Sequence, residues 1–487
     1  MKKYLLIILL LLGLFLRTYR LGDLLGFYFD QGRDGKVIWD LLHHGKFFLI
    51  GPTTGIEGIF LGPFYYYLMA PAYLLGGGNP VWPAYELALI NVLAIGVFYL
   101  ITIRHFSPGT GIVTVILMAL SNRLVQDQRW LSNPTPLPLF SGLALWSLLE
   151  IISGKKKWWW LLGLSIGLSL QLEAASATFF LPATILVLVI FLKSVSWKWP
   201  QIMHGLFMFC LTLLPQLYFN FRHENILFQA FQRFLISEKS FQAAVSGFYS
   251  ERLNFYFRVF TEKLINSSQL LPILLLLLGI LFLYIFRKFF TKSTTVLLVW
   301  ILIPLVSLLF YHGNNGYVWG YYFTGVYPAF IVLIAFLMAL GLRRKGIAAA
   351  VAVIILSLFI YDNLTAAKNY LSSGIDGPIT ITLGNSLKAV DQVYEDAGDT
   401  PFNVDVYVPP VISHAYDYLF IWRGSTRYFI QPKIDLVPRL YTVFEQDPPH
   451  PERLEKWMTR QATYAAVDST ATFGGVTVQK RTRYDQN

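Results

Sequence analysis

IFLGPFYYYLMAPAYLLG, residues 59–76, is apolar enough to enter a membrane, yet Gly62, Pro63, Pro71 and the run Gly76–Gly78 interrupt it. Whether it crosses decides the fold, because every later loop changes side with it. Eleven other stretches are long and apolar enough to span: roughly 4–20, 84–102, 108–124, 134–152, 157–173, 178–193, 202–219, 269–286, 294–311, 321–341 and 346–361. If 59–76 stays on one side, then Lys2 and Lys3, Arg104, Lys155–Lys157, Lys193, Lys198, Arg287, Lys288, Lys292 and Arg343–Lys345 share a face. That is the positive-inside pattern. If it crosses, the basic loops after it face outward. The expectation is an interfacial or re-entrant 59–76, tolerated where protein or a watery cavity covers its backbone.

The rest of the composition agrees with this class. The chain has 487 residues, 55% of them hydrophobic and only 14% charged, against about 25% charged in an average soluble protein. Its formal charge of +11 sits in short loops between apolar runs, which reads as topology and argues against a nucleic-acid partner. The lone cysteine, Cys210, excludes an internal disulfide and a thiolate metal site. MKKYLLIILLLLGLFLRTYRLG at the start has no small-residue cleavage site and reads as an uncleaved signal anchor. The resulting fold class is an α-helical polytopic membrane protein with about eleven spanning helices. Residues 1–361 are expected to form the transmembrane domain of a plasma-membrane protein whose N-terminus lies on the inner side. Residues 362–487 alternate strand-like runs (FNVDVYVPP, TRYFIQPK, TYAAVDST, GVTVQK) with helical patterns (ITLGNSLKAVDQVYEDAG, ERLEKWMTRQ). They are expected to form a small mixed α/β domain outside. No internal repeat is visible, which counts against transporters built from duplicated halves.

The first outer loop, 21–83, carries FYFDQGRDGKVIWDLLHHGK at 27–46. Asp30 beside an apolar face is costly, and so marks function. It also reads as the N-cap of the helix that follows, and both can hold. Arg33 and Asp34 lie one turn on, spaced to form an ion-pair network that orients Asp30, or to be solvated. Adjacent His43 and His44 diverge by about 100° on a helix and make a poor metal pair. Tyr65, Tyr66 and Tyr67 suit the lipid–water boundary.

Other polar residues gather on the same side: Asp127 and Asn133 in the second outer loop, Glu173 ending 157–173, and Tyr321 and Tyr322 opening 321–341. Arg222 and His223 end 202–219; a guanidinium there suits a phosphate, or snorkels to headgroups. Arg17 and Arg20 are read as snorkelling. The long outer loop 222–268 holds an amphipathic segment, NILFQAFQRFLI, expected to lie on the surface.

FDQGRD (29–34), GPFYYYL (62–68), SNPTPLPL (132–139) and QLE (171–173) together resemble the C-type glycosyltransferase superfamily. The likeness is to its bacterial branch similar to protein O-mannosyltransferases and lipid A aminoarabinose transferases, over residues 1–345. The resemblance implies transfer of a hexose or pentose from a polyprenyl-phosphate donor to an acceptor at the outer membrane face, usually with inversion. It implies Asp30 as general base on the acceptor hydroxyl, flanked by Arg33 and Asp34. Arg222, His223, Tyr321, Tyr322, Glu173, Asn133 and Tyr66 are the expected substrate-binding set. Three departures stand out: Gln31 where many relatives have an acid, Leu61–Gly62 where aminoarabinose transferases have Glu-Lys, and Asn133–Pro134 for Asp-Pro. They argue against a resident divalent metal and against aminoarabinose transfer. Competing classes are a transporter or flippase of lipid-linked glycans, whose polar residues would sit near mid-bilayer, an O-antigen polymerase or ligase, and an envelope scaffold.

Overall fold

The structure is a computed structural model and describes residues 2–238, 240–241, 248–409 and 412–484. Parts of the 222–268 loop and Pro410, the last residue of FNVDVYVPP, lie outside the described residues.

Helix α1 (Lys2–Thr18) is followed by α2 (Phe29–His44) and α3 (Phe64–Leu75). The twelve residues of α3 rise about 18 Å, short of the ~30 Å hydrocarbon core, so 59–76 does not cross as a helix. Pro63 precedes its first turn and Gly76 ends it. Next come α4 (Val81–His105) and the pair α5 (Pro108–Leu120) and α6 (Asn122–Gln128), bent by 62°. Beyond them lie α7 (Trp159–Leu172), α8 (Trp199–Arg222), α9 (Leu271–Phe289), α10 (Lys292–Leu309) and α11 (Ile347–Ser372). Among the described residues, five helices are long and apolar enough to span: α4, α8, α9, α10 and α11. Shorter apolar helices occupy Leu137–Ile152, Ala174–Ile190 and Tyr327–Leu342. Several expected spans are thus shorter than their apolar runs. The run at 108–124 breaks at Ser121, whose side chain caps α6.

That break explains Arg17, which does not snorkel. Its side chain is fully buried, and it donates to Met118 O at 2.9 Å, Ala119 O at 3.2 Å and Gln128 Oε1 at 2.7 Å. A helix end frees carbonyls that must find partners, and Arg17 supplies them where α5 stops. Arg20 acts likewise, donating to Leu371 O at 2.9 Å and Ser373 O at 3.0 Å where α11 ends. Glycines allow a close helix crossing. A Cβ on Gly163 of α7 would lie 1.9 Å from Gly205 O of α8, so only small residues allow that approach.

Helix α11 continues past residue 361, and buried Asp362 accepts from the Ser267 backbone N–H at 3.1 Å. The C-terminal part adds α12 (Leu383–Ala397), α13 (His414–Arg423), α14 (Pro451–Ala462) and a four-stranded sheet. Its strands are β1 (Asn403–Tyr407), β2 (Arg439–Glu445), β3 (Ala465–Phe473) and β4 (Val476–Arg483), in the order β1-β2-β4-β3. β1 and β2 pair in parallel and the other neighbours are antiparallel. TRYFIQPK is not a strand. Its start continues α13 as a wide turn, Phe429 takes a left-handed φ of 55°, and Pro432 has no N–H for a ladder. The strand lies instead at RLYTVFE, 439–445.

The sheet-bearing part is joined to α2 through α13. Phe29 stacks on His414 at 5.1 Å, Lys36 pairs with Asp417 at 3.0 Å, and Tyr418 Oη donates to Gly78 O at 2.5 Å. A Cβ on Gly32 would lie 2.2 Å from His414 O, and one on Gly35 would lie 3.1 Å from the Tyr418 ring. The glycines of GRDG therefore let a second helix lie against the one carrying Asp30.

Candidate active site

Helix α2 begins at Phe29 with Tyr28 at the cap position, so Asp30 stands in the first turn and is not the N-cap. The cap comes from Gln31. Its Oε1 accepts the Tyr28 backbone N–H at 3.0 Å, and its Nε2 donates to Leu131 O at 2.9 Å. Gln31 is buried and fixes both the start of α2 and the second loop. An amide can donate and accept at once, whereas an ionised carboxylate only accepts.

Arg33 links two unlike carboxylates. Its Nη1 lies 2.9 Å from Asp30 Oδ1, while Nε and Nη2 meet Asp34 Oδ1 at 2.9 and 2.8 Å. Asp30 keeps 60% of its side-chain surface exposed and Asp34 only 6%. Burial pushes the Asp34 carboxyl up to about 6 against the opposing pull of Arg33. Burial also works against the Arg33 charge, but Asp34 and Asp30 outweigh it and hold the guanidinium above its ordinary value. Tyr66 Oη donates to Asp34 Oδ1 at 3.3 Å, and Arg33 Nη1 donates to Thr53 Oγ1 at 3.2 Å. Tyr65 and Tyr66 are buried within the protein and do not stand at a lipid boundary; Tyr67 is exposed, its hydroxyl on Phe48 O at 2.8 Å.

Asp30 and Arg33 open into a cavity of about 1020 Å³. Of the other expected residues, Asn133, Glu173, Tyr321 and Tyr322 also line it, whereas Asp34 and Tyr66 stand behind its wall. Asn133 Nδ2 donates to Leu172 O at 2.6 Å, and buried Glu173 accepts the Ala175 backbone N–H at 2.9 Å. The Tyr321 and Tyr322 rings meet edge to face at 5.0 Å.

Arg222 and His223 are not in the cavity. Both are exposed at the end of α8, where the His223 ring stacks on Phe219 at 4.0 Å. The exit of a helix on a given side follows from parity, but its direction around the bundle does not. His43 and His44 also stay outside it, His43 stacked on Trp39 and His44 paired with Asp40.

Cations absent from the expected set line the wall instead: Arg123, Arg129 and Lys263. Lys263 pairs with Asp127, and Arg123 reaches the same carboxylate at 3.2 Å. Burial lowers Lys263 more than Asp127 raises it. The partners are 136 residues apart, and nothing in TEKLINS at 261–267 announces a contact with the second loop. Ile56, Ile59, Phe231, Phe234, Leu235 and Phe241 give the cavity an apolar end, where Arg233 Nη2 donates to Glu57 O at 2.9 Å and the Phe234 and Phe241 rings meet at 6.1 Å, so the amphipathic segment 225–236 walls the cavity as well as covering the surface. Among the described residues, no three His, Cys, Asp or Glu side chains gather as a metal-ligand group.

Comparison with solved structures places this architecture. ArnT from Cupriavidus metallidurans in the apo state superposes with a TM-score of 0.60 over 98% of this chain and 97% of that one, at 13% identity. The same protein bound to undecaprenyl phosphate gives 0.59 over the same shares, at 12% identity. The fold is that of the C-type glycosyltransferases. A second C-type structure, the archaeal oligosaccharyltransferase AglB from Archaeoglobus fulgidus in complex with an inhibitory peptide and a dolichol-phosphate, gives 0.51 at 14% identity. It covers 91% of this chain and 69% of that one. The family described as dolichyl-phosphate-mannose-protein mannosyltransferase matches residues 61–219, from α3 into the last turn of α8. No curated protein matches the sequence. At these identities the likeness establishes the fold, and the chemistry rests on the cavity.

Proposed function

We propose that the chain is a glycosyltransferase that moves a sugar from a polyprenyl-phosphate carrier to an acceptor hydroxyl at the outer face of the plasma membrane. One observation carries the reading: a single cavity joins an apolar end, suited to a prenyl chain, to the exposed carboxylate of Asp30. The C-type structures solved with undecaprenyl phosphate and with a dolichol-phosphate support the carrier class. In this reading residues 1–361 form the membrane catalytic part, with the N-terminus inside, and residues from 362 form the outer domain.

The chemistry asks little of the protein beyond placement and charge. The acceptor hydroxyl gives its proton to Asp30 while its oxygen attacks the anomeric carbon; the bond from that carbon to the phosphate oxygen breaks, and the phosphate leaves with the electron pair. Negative charge then builds on the phosphate. The part assigned to Arg222 passes to Arg33, which lines the cavity at Thr53 beside the apolar end, with the Tyr321 hydroxyl as a further donor. Asp34 and Tyr66 hold Arg33 from behind.

The test is Asp30→Asn in the full-length protein. Transfer, followed by mass spectrometry of envelope glycans in a deletion strain carrying each variant, should fall by about 10²–10⁴-fold, the usual contribution of a general base. Thermal stability should stay near wild type, because Asp30 is exposed. Transfer at the wild-type rate by a normally folded Asn variant overturns the assignment.

A further inference from the structure

In the cavity wall, two positions before Asp30, Tyr28 stacks on Trp130 at 5.5 Å with 27° between their rings. Both line the cavity. They stay 37% and 42% exposed. The pair is held rigidly. Tyr28 Oη donates to Ile381 O at 3.0 Å, and a Cβ on Gly26 would lie 2.7 Å from the Trp130 ring. Tyr28 is also the cap residue of the helix that carries Asp30 two positions later, so shelf and carboxylate move together. The same cavity is lined by Gln126, Asp127 and Arg123, groups that donate and accept hydrogen bonds.

We propose that this shelf is the acceptor subsite and that the acceptor is a carbohydrate. The assignment rests on the transferase reading above and names the class of its second substrate. A pyranose has an apolar face of C–H bonds with partial positive charge and a rim of hydroxyls that donate and accept. Aromatic faces carry the complementary negative potential, and the amide, carboxylate and guanidinium groups of the same cavity answer the rim. Peptide binding by strand addition asks for something else, a free strand edge offering backbone partners. No residue of β1 to β4 lines this cavity. One saccharide hydroxyl, presented toward Asp30, loses its proton there and forms the new bond to the anomeric carbon of the donor as the phosphate departs.

The experiment uses full-length protein, wild type and the variants Trp130→Ala, Trp130→Phe and Asp30→Asn, each expressed in a deletion strain and also purified. Linkage analysis by mass spectrometry reads which envelope fraction receives the sugar, and undecaprenyl phosphate serves as the binding probe in thermal shift. The expected product is a sugar–sugar bond, lost with Asp30→Asn, lowered at least tenfold by Trp130→Ala and only a few-fold by Trp130→Phe. Both Trp130 variants should keep the thermal shift with undecaprenyl phosphate. A sugar attached to Ser or Thr of a protein overturns the carbohydrate acceptor, as does full transfer by Trp130→Ala. Loss of the undecaprenyl phosphate shift in both Trp130 variants marks the shelf as structural and overturns it too. An Asp30→Asn strain with unchanged glycans sinks the transferase reading instead, so the two failures are separable.

Discussion

One guanidinium serving two carboxylates makes the residue-scale chemistry depend on burial. Asp30 and Asp34 are equally near Arg33, yet only Asp34 is enclosed, and burial pushes its carboxyl up to about 6. Two pH effects of opposite sign follow. Between the ordinary carboxylate range and about 6, the folded chain keeps an Asp34 proton that the unfolded chain has released. The stability this proton brings is complete below the unfolded value and is lost as pH rises through about 6. Subtracting the melting temperature of Asp34→Asn from that of wild type should therefore give a difference that shrinks from pH 4 to pH 7. Transfer should run the other way. Below about 6 a neutral Asp34 holds Arg33 less well, so the rate should drop on acidification, and that acid limb near 6 should flatten in Asp34→Asn. A pH–rate profile identical in the two proteins contradicts the linkage. The network itself was legible in DQGRD, because one-turn spacing puts Asp30 and Arg33 on one helical face. The purpose of Gln31 was not, since its partner, Leu131, lies 100 residues away.

Elements in this fold are placed by residues too small to attract notice. Gly32 has no role in the chemistry, yet it sits where α13 crosses α2, against the backbone at His414 and Ala415. Gly32→Ala would force the two helices apart. Overpacking of this kind costs about 1–3 kcal/mol and would shift Asp30 together with its helix. We expect a lower melting temperature and a transfer rate reduced by more than the stability loss explains. Gly96→Ala is the control, with nothing within 4 Å of its added Cβ; it should melt at or slightly above the wild-type temperature, because Ala is the better helix former. Equal behaviour of the two variants would show that the α2–α13 crossing does not position the site. Pattern gave the existence of most helices; of the residues read as interrupting 59–76, Pro63 and Gly76 bound α3, whereas Pro71 lies inside it. It did not give the bend at Ser121 or the burial of Arg17. Periodicity reports which face is apolar and is silent on what a broken helix does with its carbonyls. The misplaced strand at 426–433 has a related cause, a short apolar alternation ended by Pro432 while a better run lay at 439–445.

For the whole molecule, the decisive property is that one cavity has two unlike ends. Its wall draws on the first loop, the second loop, the 222–268 segment and residues as distant as Thr382, so no single stretch of sequence carries it. Topology put Asn133, Glu173, Tyr321 and Tyr322 on one side of the membrane, and all four line the cavity. The same logic chose Arg222, which is exposed outside the cavity, and it passed over Lys263, which lines it. The polarity of the two ends gives a test that needs neither the sugar nor the acceptor. If the apolar end holds the carrier's chain, undecaprenyl phosphate binds the folded protein and raises its stability by RT ln(1 + [L]/Kd), about 2.7 kcal/mol at a hundredfold excess over Kd. Phe231 and Leu235 line that end and remain partly exposed, so changing either to Asp should leave the fold intact. Each change should weaken binding tenfold or more, removing about 1.4 kcal/mol of the stabilisation. A water-soluble five-carbon prenyl phosphate, too short to reach the wall, should bind wild type and variants alike. If both ligands lose affinity equally, the effect comes from the phosphate site and the apolar end does not hold the chain. If neither does, the carrier lies elsewhere on the protein.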